Sequence, residues 1–121
     1  MAFDTPSPPS FAVALETFAT FAVLRAEGSI TAATLPAFEH EIRQALGDER
    51  RSLILDFSAV SFISSAGLGA LMVARGLASE RGGEVLFTGV GAPIQKIFDL
   101  LDYGSFFRSF PTADEAAKAL G

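Results

Sequence analysis

Residues 52–69 read Ser52-Leu53-Ile54-Leu55-Asp56-Phe57-Ser58-Ala59-Val60-Ser61-Phe62-Ile63-Ser64-Ser65-Ala66-Gly67-Leu68-Gly69, and the fold turns on this stretch. Leu53 to Phe57 is a short, nearly continuous apolar run, which suits a strand covered on both faces. A loop is expected from Ser58 to Ser65. Ala66 to Arg81 is then apolar almost all round and reads as a helix. A buried strand that runs on into a helix is half of a βαβ unit. Such units pair their strands in parallel through right-handed crossovers. Gly67, Gly69 and Gly76 lower the helix propensity and let a neighbouring backbone approach closely, so the helix is expected to pack tightly.

Further strands and helices flank this unit. Phe11 to Leu15 and Phe18 to Arg25 read as strands, with Glu16-Thr17 as the turn, and so short a connection makes them antiparallel. Leu35, Phe38, Ile42, Ala45 and Leu46 recur at helical spacing. Thr31 or Thr34 can cap that helix, Pro36 fits its first turn, and Gly47-Asp48 stops it. Downstream, Gly82-Gly83 ends the long helix and Glu84 to Thr88 is a strand. Pro93 opens a helix with Ile94, Ile97, Phe98 and Leu101 inward. Phe106 to Phe110 reads as a last short strand. Thr112-Ala113-Asp114-Glu115 is a capping box that starts a terminal helix to Leu120. The order is ββαβαβαβα, an α/β chain with a mixed sheet.

Length and composition fit that reading. The 121 residues make one domain, from 11 to 121. It follows a tail at 1–10 whose three prolines predict loose order. Half the residues are hydrophobic and the mean hydropathy is +0.39, ample for a core. No cysteine is present, which removes disulfides, thiolate nucleophiles and iron–sulfur clusters. The single histidine, His40, sits between Glu39 and Glu41 and reads as solvated surface, so no multi-His metal site exists. The net charge is −5, with 14 acids against 9 bases, and the lysines are Lys96 and Lys118. Nucleic-acid binding needs a basic footprint that this chain lacks. No apolar stretch approaches the ~20 residues of a spanning helix. The expected protein is cytoplasmic, without membrane insertion, metal or cofactor.

A P-loop needs a Gly-Lys-Ser/Thr ending, and no lysine precedes Lys96. Gly89-Val90-Gly91-Ala92-Pro93-Ile94 fails Gly-x-Gly-x-x-Gly at its last position. Gly-x-Ser-x-Gly is absent. Arg75 interrupts an apolar helix and is expected to snorkel or to pair with an acid. Asp99 and Asp102 read as solvated surface. Ser64 and Ser65 are the informative pair, because they stand where a helix begins. Free N–H groups and partial positive charge gather there. A serine at that place is an N-cap, or it is a phosphoacceptor whose phosphate the helix end can hold.

The segment from Ser52 to Leu120 resembles the STAS domain of bacterial anti-sigma factor antagonists. Leu53-Ile54-Leu55-Asp56-Phe57-Ser58 looks like the family's third strand and its Asp-Leu-Ser end. Phe62-Ile63-Ser64-Ser65-Ala66-Gly67-Leu68-Gly69-Ala70-Leu71 looks like its signature loop and helix. Gly82-Gly83-Glu84-Val85-Leu86-Phe87 and Phe110-Pro111-Thr112-Ala113-Asp114-Glu115-Ala116 also match. Upstream, Glu27-Gly28-Ser29-Ile30-Thr31 is similar to the family's Gly-x-Ile/Leu-Asp turn, with Thr31 in place of the Asp. The best-known family loop is Asp-Ser-Ser-Gly-Leu, with the phosphorylated serine just before the glycine. Ala66 holds that position here and Ser64 the Asp position; the loop resembles a common family variant, Ser-Ser-Ala-Gly-Leu, in which the serine one place earlier looks like the acceptor, and this implies Ser65 as acceptor with Ser64 as second choice.

The resemblance implies a STAS-like mixed central sheet, an N-terminal antiparallel hairpin and about four helices packed mainly on one side. It implies a non-enzymatic switch. The unmodified protein binds an anti-sigma factor serine kinase and so releases a sigma factor; phosphorylation stops this, and a PP2C-type phosphatase restores it. Partner contacts are expected at Asp56, Ser61, Phe62, Ile63, Ala66, Gly67 and Leu68, on a monomer or weak dimer. Two other functions are compatible with the residues. One is a constitutively docked STAS subunit of a lipid transporter or a stress-sensing complex. The other is a serine hydrolase using Ser64 or Ser65.

Overall fold

The computed structural model describes residues 11–47 and 49–120; the tail at 1–10, Asp48 and Gly121, the last residue of the expected domain, lie outside them. The order is β1 (Phe11–Thr17), β2 (Phe21–Ile30), α1 (Leu35–Ala45), β3 (Ser52–Ile63) and α2 (Ser65–Glu80). It continues with β4 (Val85–Thr88), α3 (Ala92–Leu100), a 3-10 turn (Tyr103–Ser105), β5 (Arg108–Phe110) and α4 (Ala113–Ala119). One five-stranded sheet runs β1-β2-β3-β4-β5. β1 and β2 are antiparallel and the other pairs are parallel.

That strand order determines where the helices go. Each crossover steps one strand in the same direction, so a constant right hand places α1, α2 and α3 on one face. Their apolar sides meet Leu24, Leu53, Leu55, Phe57 and Phe87 in the main core. α4 follows the last strand and closes no crossover. It lies on the other face, over Val23, Ile54 and Leu86, through Ala116. Its start is the expected capping box, in which Thr112 Oγ1 accepts from Glu115 N at 3.1 Å.

Several elements depart from the sequence expectation. The hairpin turn is Phe18-Ala19-Thr20 rather than Glu16-Thr17, with Phe18 N donating to Phe21 O at 2.9 Å. Phe18 stacks on Phe21 at 4.6 Å, so an aromatic that looks like strand lies in the turn. Thr34 is the N-cap of α1 but makes no cap bond. Its hydroxyl reaches backwards, donating to Ser29 O at 2.7 Å and accepting from Thr31 N at 2.8 Å. Leu101 is 49% exposed, beyond the end of α3. Phe106 and Phe107 precede β5, although Phe107 is buried in the core.

The largest departure is β3, which extends through the expected loop to Ile63. Two register shifts against β2 each add one residue to β3, between Arg25 and Glu27 and between Gly28 and Ser29. Such bulges re-aim the side chains that follow. Phe57, Val60 and Ile63 are consequently all buried, at a spacing of three rather than two.

α2 ends in a Schellman motif. Gly82, at φ 74, donates to Ser79 O at 3.0 Å and Gly83 donates to Ala78 O at 2.8 Å. Gly83 then packs directly on the Arg51 backbone, where a Cβ would come within 1.9 Å of the carbonyl oxygen. The tight packing expected of the α2 glycines does not hold for Gly69 and Gly76, since a Cβ on either would meet nothing within 4 Å. Gly76→Ala is therefore expected to stabilise the protein by up to about 1 kcal/mol of helix propensity. A melting temperature several degrees higher in calorimetry is the expected result; an unchanged or lower one would contradict this packing.

Candidate functional site

The site is the junction of β3 and α2. β2 and β3 finish together, Ile30 beside Ile63. Ser64 N donates to Ile30 O at 2.8 Å, which pins the junction to the end of the strand pair. Gly67 seats the first helical turn there, for a Cβ would lie 2.7 Å from Ile63 Cγ1 and 2.9 Å from Ile30 Cγ2. The tight packing expected of a glycine in α2 is found at Gly67.

The two serines do different work. Ser64 is the N-cap, in extended backbone at φ −79 and ψ 168, and its Oγ accepts from Gly67 N at 3.2 Å. Ser65 is the first helical residue and is exposed. Among the described residues its hydroxyl makes no hydrogen bond. The helix therefore starts one residue earlier than expected. Not every N–H group at this helix start is free. Gly67 N is held by the cap and Leu68 N donates to Ser64 O at 2.9 Å, leaving the N–H groups of Ser65 and Ala66.

Stability separates the roles. Ser64→Ala is expected to lower unfolding free energy by about 1 kcal/mol. Ser65→Ala should stay within about 0.5 kcal/mol of the parent. Urea unfolding of both variants measures the difference, and equal losses would contradict the capping assignment.

The other expected partner residues divide by exposure. Ser61, Phe62 and Ala66 are exposed, Phe62 to 49%. Gly69 and Val73 continue that surface along α2, Val73 at 63%. Ile63, Gly67 and Leu68 are buried, so they support the surface from beneath rather than forming it. Ser61 lies within β3, where its hydroxyl donates to Gly28 O at 3.3 Å. Val73 and Gly69 escaped the sequence reading because an α2 apolar all round gives no sign of which face is free.

Asp56 stands apart. It is on the α4 face of the sheet, eight residues before Ser64, a span on the order of 20–25 Å of extended chain. It sits beside Arg25 and Thr88 in the register. Its Oδ2 lies 3.4 Å from Arg25 Nε. Its Oδ1 accepts from Ser58 N at 3.0 Å and Ser58 Oγ at 2.7 Å. Asp56 thus secures the N–H of a residue within the first bulge. It is not brought together with the serine junction. Two adjoining clefts of about 250 and 320 Å³ share Arg25, Asp56 and Ser58 on this face.

His40 is exposed on α1, and Ser64 Oγ is bound by a backbone N–H, not by a base. Arg75 meets no acid among the described residues. Its Nε donates to Phe106 O at 3.3 Å and its guanidinium lies 5.1 Å from the centre of the Phe106 ring. Asp99 is exposed and accepts from Gln95 Nε2 at 2.9 Å.

A model of the STAS domain matches residues 12–116. The chain belongs to the STAS family. The anti-sigma-F factor antagonist RsfB of Mycobacterium tuberculosis is 31% identical over 113 residues, covering 91% of this chain and 89% of RsfB. A crystal structure of an anti-sigma factor antagonist from Mycobacterium paratuberculosis superposes with a TM-score of 0.82 at 27% identity. It covers 94% of this chain and 97% of that one. SpoIIAA in its unphosphorylated form shares the fold, with a TM-score of 0.75 at 19% identity over 89% of this chain and 95% of its own. The phosphorylated form of Bacillus SpoIIAA gives 0.71 at 20%, over 91% and 100%. The STAS-like mixed sheet, with its antiparallel hairpin and helices mainly on one side, is the fold of this chain. These relatives are named as antagonists of anti-sigma factors. Among the described residues, no helix is long and apolar enough to cross a membrane.

Proposed function

We propose that this STAS protein is an anti-sigma factor antagonist whose hold on an anti-sigma factor kinase is broken by phosphorylation of Ser65. One observation carries the choice of residue. Ser65 offers an exposed, unengaged hydroxyl at the first residue of α2, whereas Ser64 would first have to give up its bond from Gly67 N. The Ser65 oxygen would take the γ-phosphoryl group of ATP, ADP would leave, and the hydroxyl proton would pass to a base of the kinase. The resulting phosphate would lie beside the Ser65 and Ala66 N–H groups and the positive end of the helix, so modification need not disturb the fold. It would also add about −1.5 to −2 charges to a chain already at −5, next to the exposed Phe62 and Ala66. A PP2C-type phosphatase would hydrolyse the phosphoserine, water restoring the hydroxyl and inorganic phosphate leaving.

Mass spectrometry of the protein purified from its own cells tests the site, alongside Ser64→Ala and Ser65→Ala chains incubated with the captured kinase and ATP. Phosphate that survives in Ser64→Ala and is lost in Ser65→Ala is the expected result. The reverse would move the acceptor to Ser64. No phosphate in any form, with a transporter ATPase captured in place of a kinase, would favour a permanently docked subunit.

A further inference from the structure

The two edges of the sheet are treated differently. β5 is three residues long; its Arg108 is exposed and ion-paired with Glu84, and Pro111 follows it. A short, charged strand closed by proline is how proteins keep other chains from adding to an edge. β1 has none of these devices. It is seven residues of Phe-Ala-Val-Ala-Leu-Glu-Thr, with no lysine, arginine or proline and a single charge at Glu16. Among the described residues no strand pairs with its outer side. In an antiparallel ladder every second residue turns its N–H and C=O away from the neighbour, so β1 presents a row of open backbone groups.

We infer that β1 is a self-association edge, through which two copies of this chain pair antiparallel and join their sheets. The strand is complementary to itself. Its midpoint is Ala14, and pairing Ala14 with Ala14 of the second copy aligns all seven residues. On the outward face Ala12 then meets Glu16 of the second copy, so no two like charges stand directly opposite. On the core face Val13 meets Leu15 of the second copy, and Phe11 meets Thr17. Phe11, Val13 and Leu15 are only half-buried in the single chain, and the added strand would cover what remains. A two-fold axis through Ala14 closes the contact at two copies. The partner-binding surface at α2 takes no part, so the proposal stands independently of the phosphoswitch.

Sedimentation velocity up to millimolar protein should show mass rising from 12.7 kDa toward twice that value. Ala12→Glu puts carboxylates opposite each other at both ends of the ladder and should weaken association several-fold. Ala12→Lys should strengthen it by facing Glu16, and Ala12→Glu with Glu16→Lys should restore it. Position 12 is exposed, and circular dichroism checks that each variant is folded. The chain has no cysteine, so Ala14→Cys supplies an independent probe. Directly opposed Cβ atoms lie ~4.5–5.5 Å apart, near disulfide reach, and Ala14→Cys should cross-link faster than Ala12→Cys. A single-chain mass at every concentration would overturn the proposal. So would a shift of the same sign for Ala12→Glu and Ala12→Lys, or faster cross-linking at position 12.

Discussion

Phe87→Ala is expected to remove about 3–5 kcal/mol of folding stability, a large share of the ~5–15 kcal/mol that a domain possesses. Phe87 is fully buried at the middle of an aromatic cluster. Its ring meets Phe57 at 5.0 Å, Phe98 at 5.3 Å and Phe107 at 5.1 Å, each nearly edge-on. These three rings come from β3, α3 and the segment before β5, so the deletion opens a cavity that no single element can close by shifting. Phe62→Ala is the control. It is half-exposed and should cost under about 1 kcal/mol while weakening partner capture. Urea unfolding of both variants gives the comparison, and a similar loss in the two would contradict the cluster as the centre of the core.

Ser65→Glu is expected to weaken kinase binding more than 100-fold, equivalent to roughly 3 kcal/mol, with circular dichroism unchanged. A carboxylate on the first residue of α2 suits the helix end, which is why the fold should tolerate it. The same charge has no place beside Phe62 and Ala66 once a partner excludes water from them, since a desolvated and unpaired charge is costly. Capture from lysate by the parent and variant chains, followed by titration with the recovered kinase, measures the effect. Affinity equal to the parent's would place the interface elsewhere.

The alternation of strands and helices is legible because β3, β4 and β5 are bounded by Gly, Pro or Ser and the residues of α1 and α3 keep helical spacing. The far half of β3 is not. Two bulges convert its burial period from two to three, so Phe57, Val60 and Ile63 match neither the strand nor the helix pattern. The hairpin turn is not legible in sequence, because Phe18 gives the same signal whether it stacks in a turn or lies in a strand. The serine pair marks a helix start in sequence and in structure alike. Which serine caps it depends on one residue of boundary, and the Ser64 bond from Gly67 N settles that. Gly67, Gly69 and Gly76 look alike in sequence; only the nearness of Ile30 and Ile63 makes the first indispensable.

Strand order equal to chain order has a bearing on how the molecule is made. Every strand docks beside the one synthesised immediately before it, so no segment has to wait for a distant partner still inside the ribosome. The β1–β2 hairpin offers β2 as a template, β3 adds with α1 already available to cover it, and each later strand and helix extends the same layer. Such stepwise growth keeps loop-closure distances short and matches the N-terminal-first emergence of a nascent chain at ~5–20 residues per second. The outer side of the newest strand is the growing edge at each stage, while the outer side of β1 stays open throughout. Growth ends at the three residues of β5, and α4 then covers the β2–β4 row from the opposite face.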